Sequence, residues 1–93
     1  MIKALVIDKN DNVGVVIESG TKGDKVIYKV NEKTEEATLL TDMVIYHKFA
    51  ITDIKKGNPI IKYGEHIGLA GEDIKKGEHV HEHNVESHRE ILK

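Results

Sequence analysis

The chain has 93 residues, of which 39% are hydrophobic and 32% charged, with a formal net charge of −2 and no cysteine. At that length it is one domain, 1–93, with a thin stability margin, because so small a chain buries only about two thirds of its unfolded surface and gains from a partner subunit. The balance excludes disorder, the missing Cys excludes disulfides, thiolate metal sites and cysteine nucleophiles, and lysines interleaved with acids exclude the basic stripe of a nucleic-acid binder.

The first predicted element is the apolar run in "IKALVI", residues 2–7, far short of the roughly 20 residues that span a bilayer. The amino terminus has no signal-peptide apolar region, so the expectation is a cytoplasmic protein with no membrane segment. Strand-like runs follow at 12–18 ("NVGVVIE"), 25–30 ("KVIYKV"), 37–41 ("ATLLT") and 43–46 ("MVIY"). Turn-forming "DKND", "SGTKGD" and "NEKTEE" lie between them, the last reading as a solvated hairpin tip. The pattern predicts a mainly β domain with short hairpins. Asp11 and Asn12 sit where turn formers are expected, and His47 and Lys48 fall at a strand end. A cationic pair there could clamp a carboxylate, although a solvated strand terminus explains it as simply.

The second half contains a repeat. "DIKKG" at 53–57 recurs at 73–77, so a polar lead-in, a buried Ile, a Lys-Lys-Gly turn whose Gly can take positive φ and an extended segment are used twice. Two copies are too few for a solenoid and predict internal pseudo-symmetry. Val80 aligns with Ile60 and preserves the buried anchor. His79, His81 and His83, by contrast, align with Pro59, Ile61 and Tyr63, so the histidines depart from what the fold requires.

On a strand, residues two apart share a face at roughly 6.5–7 Å, so adjacent imidazoles of the row could turn toward one cation. All three on one ion would be awkward. One or two of them joined by a ligand from another strand or another chain fits better. Nitrogen ligands suit iron, manganese or zinc. A strand rich in His, Glu and Asn is equally what an exposed sheet edge looks like. "KYGEHIG" at 62–68 reads as a short strand bracketed by Gly64 and Gly68, and "NVESHREILK" at the carboxy terminus has Asn84 or Ser87 as a cap for a turn or two of helix. No nucleophile triad, Walker loop or dinucleotide fingerprint is present.

Four stretches together, "DNVGVV" at 11–16, "HKFAITDIKKG" at 47–57, "IKYGEHIG" at 61–68 and "DIKKGEHVHEHN" at 73–84, resemble the small SAF-type β-clip domain of the altronate and galactarate dehydratase family, over nearly the whole chain. In that family the domain is fused to a large catalytic domain or stands as a small subunit, and a free chain of this size resembles the latter. The same subunit type serves sulfolactate sulfo-lyase, which expels sulfite instead of water.

The resemblance implies a metal-dependent β-elimination on a hexuronic or related hydroxy acid. A base takes the proton α to the carboxylate, a divalent ion stabilises the enediolate and an acid assists the leaving group. Carried over by motif, Asn12, His47, Lys48, Tyr63, His79, His81, His83 and Asn84 face the site. His47 and Lys48 are expected in proton chemistry, Asn12, Tyr63 and Asn84 at the substrate, and the three row histidines at a divalent metal, iron or manganese first and zinc next, shared with a large catalytic subunit. Without that subunit the chain is expected to be inactive, and it could self-associate when isolated. The sequence departs from the family at Val44 and Tyr46, where a Pro and a Gly usually precede the His-Lys pair, and at Gly14, where Ala is usual. The competing readings are a free-standing sugar-acid or metal-binding module and a structural subunit with inert histidines.

Overall fold

The computed structural model describes residues 1–86, and among these there is no helix. Four segments, 16–24, 39–47, 50–58 and 70–78, repeat one pattern. Each begins on a buried apolar residue, Val16, Leu39, Ala50 or Ala70. Each ends in a four-residue turn closed by a backbone bond: Asp24 N to Thr21 O at 2.9 Å, His47 N to Val44 O at 3.1 Å, Asn58 N to Lys55 O at 3.0 Å and Glu78 N to Lys75 O at 2.9 Å. The third residue of each turn has positive φ: Gly23 at 93°, Tyr46 at 71°, Gly57 at 89° and Gly77 at 90°. This is the backbone sign of a type II turn, which glycine adopts without a Cβ clash.

The segments pair reciprocally. Gly57 N donates to Ala70 O and Gly77 N to Ala50 O, both at 2.8 Å, while Ile54 and Ile74 exchange two backbone bonds at 2.8 Å. Asp73 Oδ1 accepts from Lys56 N and Asp53 Oδ1 from Lys76 N, both at 2.9 Å. These bonds make the "DIKKG" repeat a local twofold. The first two segments are joined by the same scheme. Gly23 N donates to Leu39 O at 2.8 Å and Tyr46 N to Val16 O at 2.7 Å, and Gly20 and Met43 exchange two bonds at 2.9 Å. Asp42 Oδ1 accepts from Lys22 N at 2.9 Å, and Ser19 Oγ accepts from Ile45 N at 3.3 Å. The pseudo-symmetry expected from two copies is thus realised by four.

Each pair closes over its own core. Val16, Val26, Tyr28, Leu39, Met43 and Phe49 fill the first, and Val13, Ala50, Ile54, Ile60, Ile74 and Val80 the second. Burying one such aliphatic or aromatic side chain contributes about 1.5–3 kcal/mol, so two clusters this small leave the fold a narrow margin of stability.

The strands are β1 Ile2–Leu5, β2 Val13–Val16, β3 Lys25–Val30, β4 Lys33–Thr38, β5 Lys48–Ala50, β6 Pro59–Lys62, β7 Glu65–Ala70, β8 His79–Val80 and β9 Val85–Glu86. One sheet runs β4-β3-β1-β2-β5-β8 and the other β6-β7-β9. Only the β1/β3 pair is parallel among the described residues. Strand β5 serves both cores, giving Phe49 to the first and Ala50 to the second.

Several predicted elements shift. "MVIY" is not a strand: only Met43 is buried, at 2%, and Val44, Ile45 and Tyr46 form an exposed turn. "NEKTEE" is not a long tip. Asn31 and Glu32, at φ 50° and 70°, make a two-residue hairpin turn, and the chain from Lys33 pairs along β3 as an edge strand. "ATLLT" contributes only its first two residues to β4. At the carboxy end Val85 and Glu86 pair with β7, and the rest of the predicted cap and helical turns lies outside the described residues.

Candidate metal centre

His47 is the exit residue of the second turn. At the same position of the first and fourth turns a carboxylate folds back on its own turn, Asp24 Oδ2 accepting from Thr21 N at 2.9 Å and Glu78 Oε1 from Lys75 N at 3.1 Å. His47 turns outward to the other half of the molecule instead. Its Nδ1 lies 3.0 Å from His79 Nε2, within hydrogen-bond distance.

The pairing of β5 with β8 sets this up, because Phe49 faces His79 and Lys48 faces Val80. The next step along the register places His47 across from His81. The rings of His47 and His79 stand 5.1 Å apart at 28°, those of His47 and His81 5.2 Å apart at 21°, and those of His79 and His81 5.4 Å apart at 10°. One nitrogen from each of the three lies within 4.8 Å of the others.

The histidine row does not continue as a strand. After Val80 the chain curls, and Asn84, 1% exposed, holds the curl. Its Oδ1 accepts from His81 N at 2.9 Å, its Nδ2 donates to His79 O at 2.8 Å and to Glu78 Oε2 at 3.4 Å, and its own backbone N donates to His81 O at 3.0 Å. A buried amide so engaged fixes backbone position, since each bond is lost without replacement if the side chain goes. The turn brings His81 back toward His79 and leaves His83 exposed, its ring 5.4 Å from that of His79 and tilted by 43°.

The electrostatics favour a neutral imidazole at His79. Burial holds His79 below the usual histidine range, and His47, His83, His81 and then Lys48 add to the shift. Burial likewise lowers Lys48, with Lys62 contributing. Uncharged rings are the form that binds metal. Two nitrogens at about 2.1 Å from a common ion stand roughly 3.0–3.4 Å apart, so the His47–His79 spacing already fits, and a His81 nitrogen lies within 4.8 Å of both. The donor set therefore suits a first-row divalent ion. Beside it an open cleft of about 330 Å³ is lined by Lys48, Ile67, His81, Glu82 and Val85. The His81–Glu82 contact at 3.9 Å joins two exposed groups and adds little.

The other predicted site residues are placed differently. Asn12 is a staple to β6, its Nδ2 donating to Pro59 O at 2.8 Å and its Oδ1 accepting from Ile61 N at 2.7 Å. Asn84 shapes the histidine turn from beneath. Tyr63 lies in a turn at φ 54°, half exposed, with Lys62 Nζ 5.0 Å from its ring centre. Asp11, expected only to form a turn, is 6% exposed and also accepts from Gly64 N at 2.8 Å, which anchors the Tyr63 turn. No sequence signal links Asp11 to a turn so far along the chain.

A family model described as the altronate/galactarate dehydratase SAF domain matches residues 2–88. The chain is 47% identical over 75 residues to an altronate dehydratase of Escherichia coli, a match covering 81% of this chain and 14% of that protein. It is 37% identical over 82 residues to an altronate dehydratase of Bacillus subtilis, covering 87% of this chain and 16% of that protein. To a (2R)-sulfolactate sulfo-lyase subunit alpha of Chromohalobacter salexigens it is 34% identical over 91 residues, covering 95% of this chain and 97% of the relative. The chain thus spans about one seventh of the altronate dehydratases it matches and nearly all of the subunit alpha.

Proposed function

Because the chain belongs to the altronate/galactarate dehydratase SAF-domain family, we propose that it is the small component of a metal-dependent hydroxy-acid lyase whose site it shares with a large catalytic polypeptide. The observation that carries this reading is the gathering of His47, His79 and His81 at the adjoining ends of β5 and β8, with ligand nitrogens within 4.8 Å of one another, beside Lys48 and an open cleft. The near-complete overlap with a subunit alpha supports the role of a small subunit. The higher identity to altronate dehydratase favours loss of water from a sugar acid, and sulfite loss from sulfolactate is the second reading.

In this proposal His47, His79 and His81 hold a divalent ion, iron or manganese before zinc, which when bound supplies positive charge to a developing enediolate. Lys48 offers an ammonium to the substrate carboxylate, and burial, which lowers its pKa, eases release of its proton. Asn84 orients His79 and His81 through their backbone. Among the described residues no helix is long and apolar enough to cross a membrane, and a cytoplasmic location goes with the proposed metabolic role.

Reconstitution tests the reading. The chain alone should be silent. Mixed with the large dehydratase-type polypeptide and Fe²⁺ or Mn²⁺, it should support elimination from altronate, galactarate or sulfolactate. His79→Ala should remove at least about 100-fold of that activity. Activity of the large polypeptide that is indifferent to the chain, or to His79→Ala, would defeat the proposal.

A further inference from the structure

The four turns are an internal control on what the scaffold demands. At the first three positions of the turn the chain reads Thr21, Lys22, Gly23 in one copy, Lys55, Lys56, Gly57 in another and Lys75, Lys76, Gly77 in a third. These are polar residues followed by the glycine that positive φ favours. The second copy reads Val44, Ile45, Tyr46, which are 60%, 38% and 70% exposed. It keeps the same hydrogen bonds and the same φ sign while carrying three consecutive apolar residues into solvent. Tyr46 at φ 71° also holds a left-handed backbone conformation that favours glycine. Nothing inside the chain requires this, since three other copies hold the frame without it. Exposed apolar runs without an internal reason mark a contact surface.

We propose that Val44, Ile45 and Tyr46 are the anchor by which this chain docks on a large dehydratase-type polypeptide, an inference that rests on the shared-site reading above. Tyr46 immediately precedes His47, so a body seated on the turn also stands over the histidine cluster. The identity of the occupant follows from the matches. Sequences like this one make up 14% and 16% of altronate dehydratases, so the same fold occurs covalently joined to a much larger body. A stable interface needs roughly 800 Å² per partner, more than three side chains supply. They therefore form a hot spot within a wider footprint, with Tyr46 as an aromatic anchor of the kind that dominates interface energetics.

The test replaces the anchor with the turn the chain already uses twice, Val44→Lys, Ile45→Lys and Tyr46→Gly together. Binding to the separately purified large dehydratase-type polypeptide of the same genome is measured by calorimetry, with sedimentation of the chain alone beside it. The swap should bind about 100-fold more weakly or worse, with an unchanged or higher Tm and unchanged Co²⁺ binding at the histidines. Tyr46→Gly alone, which relieves strain, should lose roughly tenfold in affinity while melting higher, and so rules out misfolding as the cause. Swap affinity within threefold of wild type, absence of binding by the wild-type chain, or a wild-type homodimer dissolved by the swap would each overturn the proposal. Anchor-dependent assembly of a pair without lyase activity would support the docking and sink the functional reading, so the two failures are distinguishable.

Discussion

The two pairs of turns share one hydrogen-bond frame and fill it differently. In the second pair Ile54 and Ile74 meet across the local twofold and enter its core. In the first, Met43 meets Gly20, and the space an isoleucine would take is occupied by Ile2 from β1, whose Cδ1 stands 2.6 Å from where a Gly20 Cβ would be. The second pair puts Gly at both tips. The first puts Gly23 at one and Tyr46 at the other. The frame itself is backbone bonds plus one short polar cap per turn, and residues that depart from it, Tyr46 and His47 among them, gather on the side where the halves meet.

The largest test of that contrast is at two glycines with the same φ. A Cβ on Gly77 would lie 2.0 Å from Thr38 O, whereas a Cβ on Gly57 meets nothing within 4 Å. Gly77→Ala should cost about 3–4 kcal/mol, from strain plus a backbone clash, and Gly57→Ala about 1 kcal/mol in urea unfolding. Equal losses would mean that the halves are not packed as described. Next comes Asn84→Ala, expected to cost about 2–3 kcal/mol and to release the His81 turn, because it strands buried backbone groups. Co²⁺ spectra of that variant should weaken together with its stability.

Smaller and opposite in sign is Tyr46→Gly, expected to stabilise by about 0.5–1 kcal/mol because relief of strain exceeds the added freedom of the unfolded chain. The smallest effect is on pH. His79 binds its proton less readily folded than unfolded, so its contribution is present above the ordinary histidine range and is lost as pH falls through its lowered folded value. The metal-free chain should therefore lose stability between about pH 6.5 and more acidic values, and His79→Gln should flatten that slope. An unchanged slope would place the proton elsewhere.

Legibility in the sequence followed how faithfully each copy kept its scaffold residues. "DIKKG" stood out because both of its copies retain the Ile and the Gly. The other two copies were hidden, one by Gly20, whose missing side chain is supplied by β1, and one by Tyr46, which takes a glycine conformation without being glycine. "MVIY" looked like a buried strand because four apolar residues in a row imitate one. Strand β4 was invisible for the converse reason: of its six residues only Ala37 is buried, so it shows no alternation. The histidines were conspicuous, and their departure from the repeat was readable. Their geometry was not, because it depends on Asn84 curling the chain and on His47 arriving from β5, a pairing with no local signature.

That pairing also bears on how the molecule comes together. His47 hangs from the first pair of turns, and His79 and His81 follow the second, so neither half owns the cluster. Closing the second pair already ties Ala50 to Gly77 and Glu78 and so draws β8 onto β5, whereas His47 is held by the first pair, through Val16 N and Val44 O. A folding intermediate with only the second pair formed would carry His79 and His81 but leave His47 unfixed, so the arrival of cobalt colour during refolding would time the closing of the first pair.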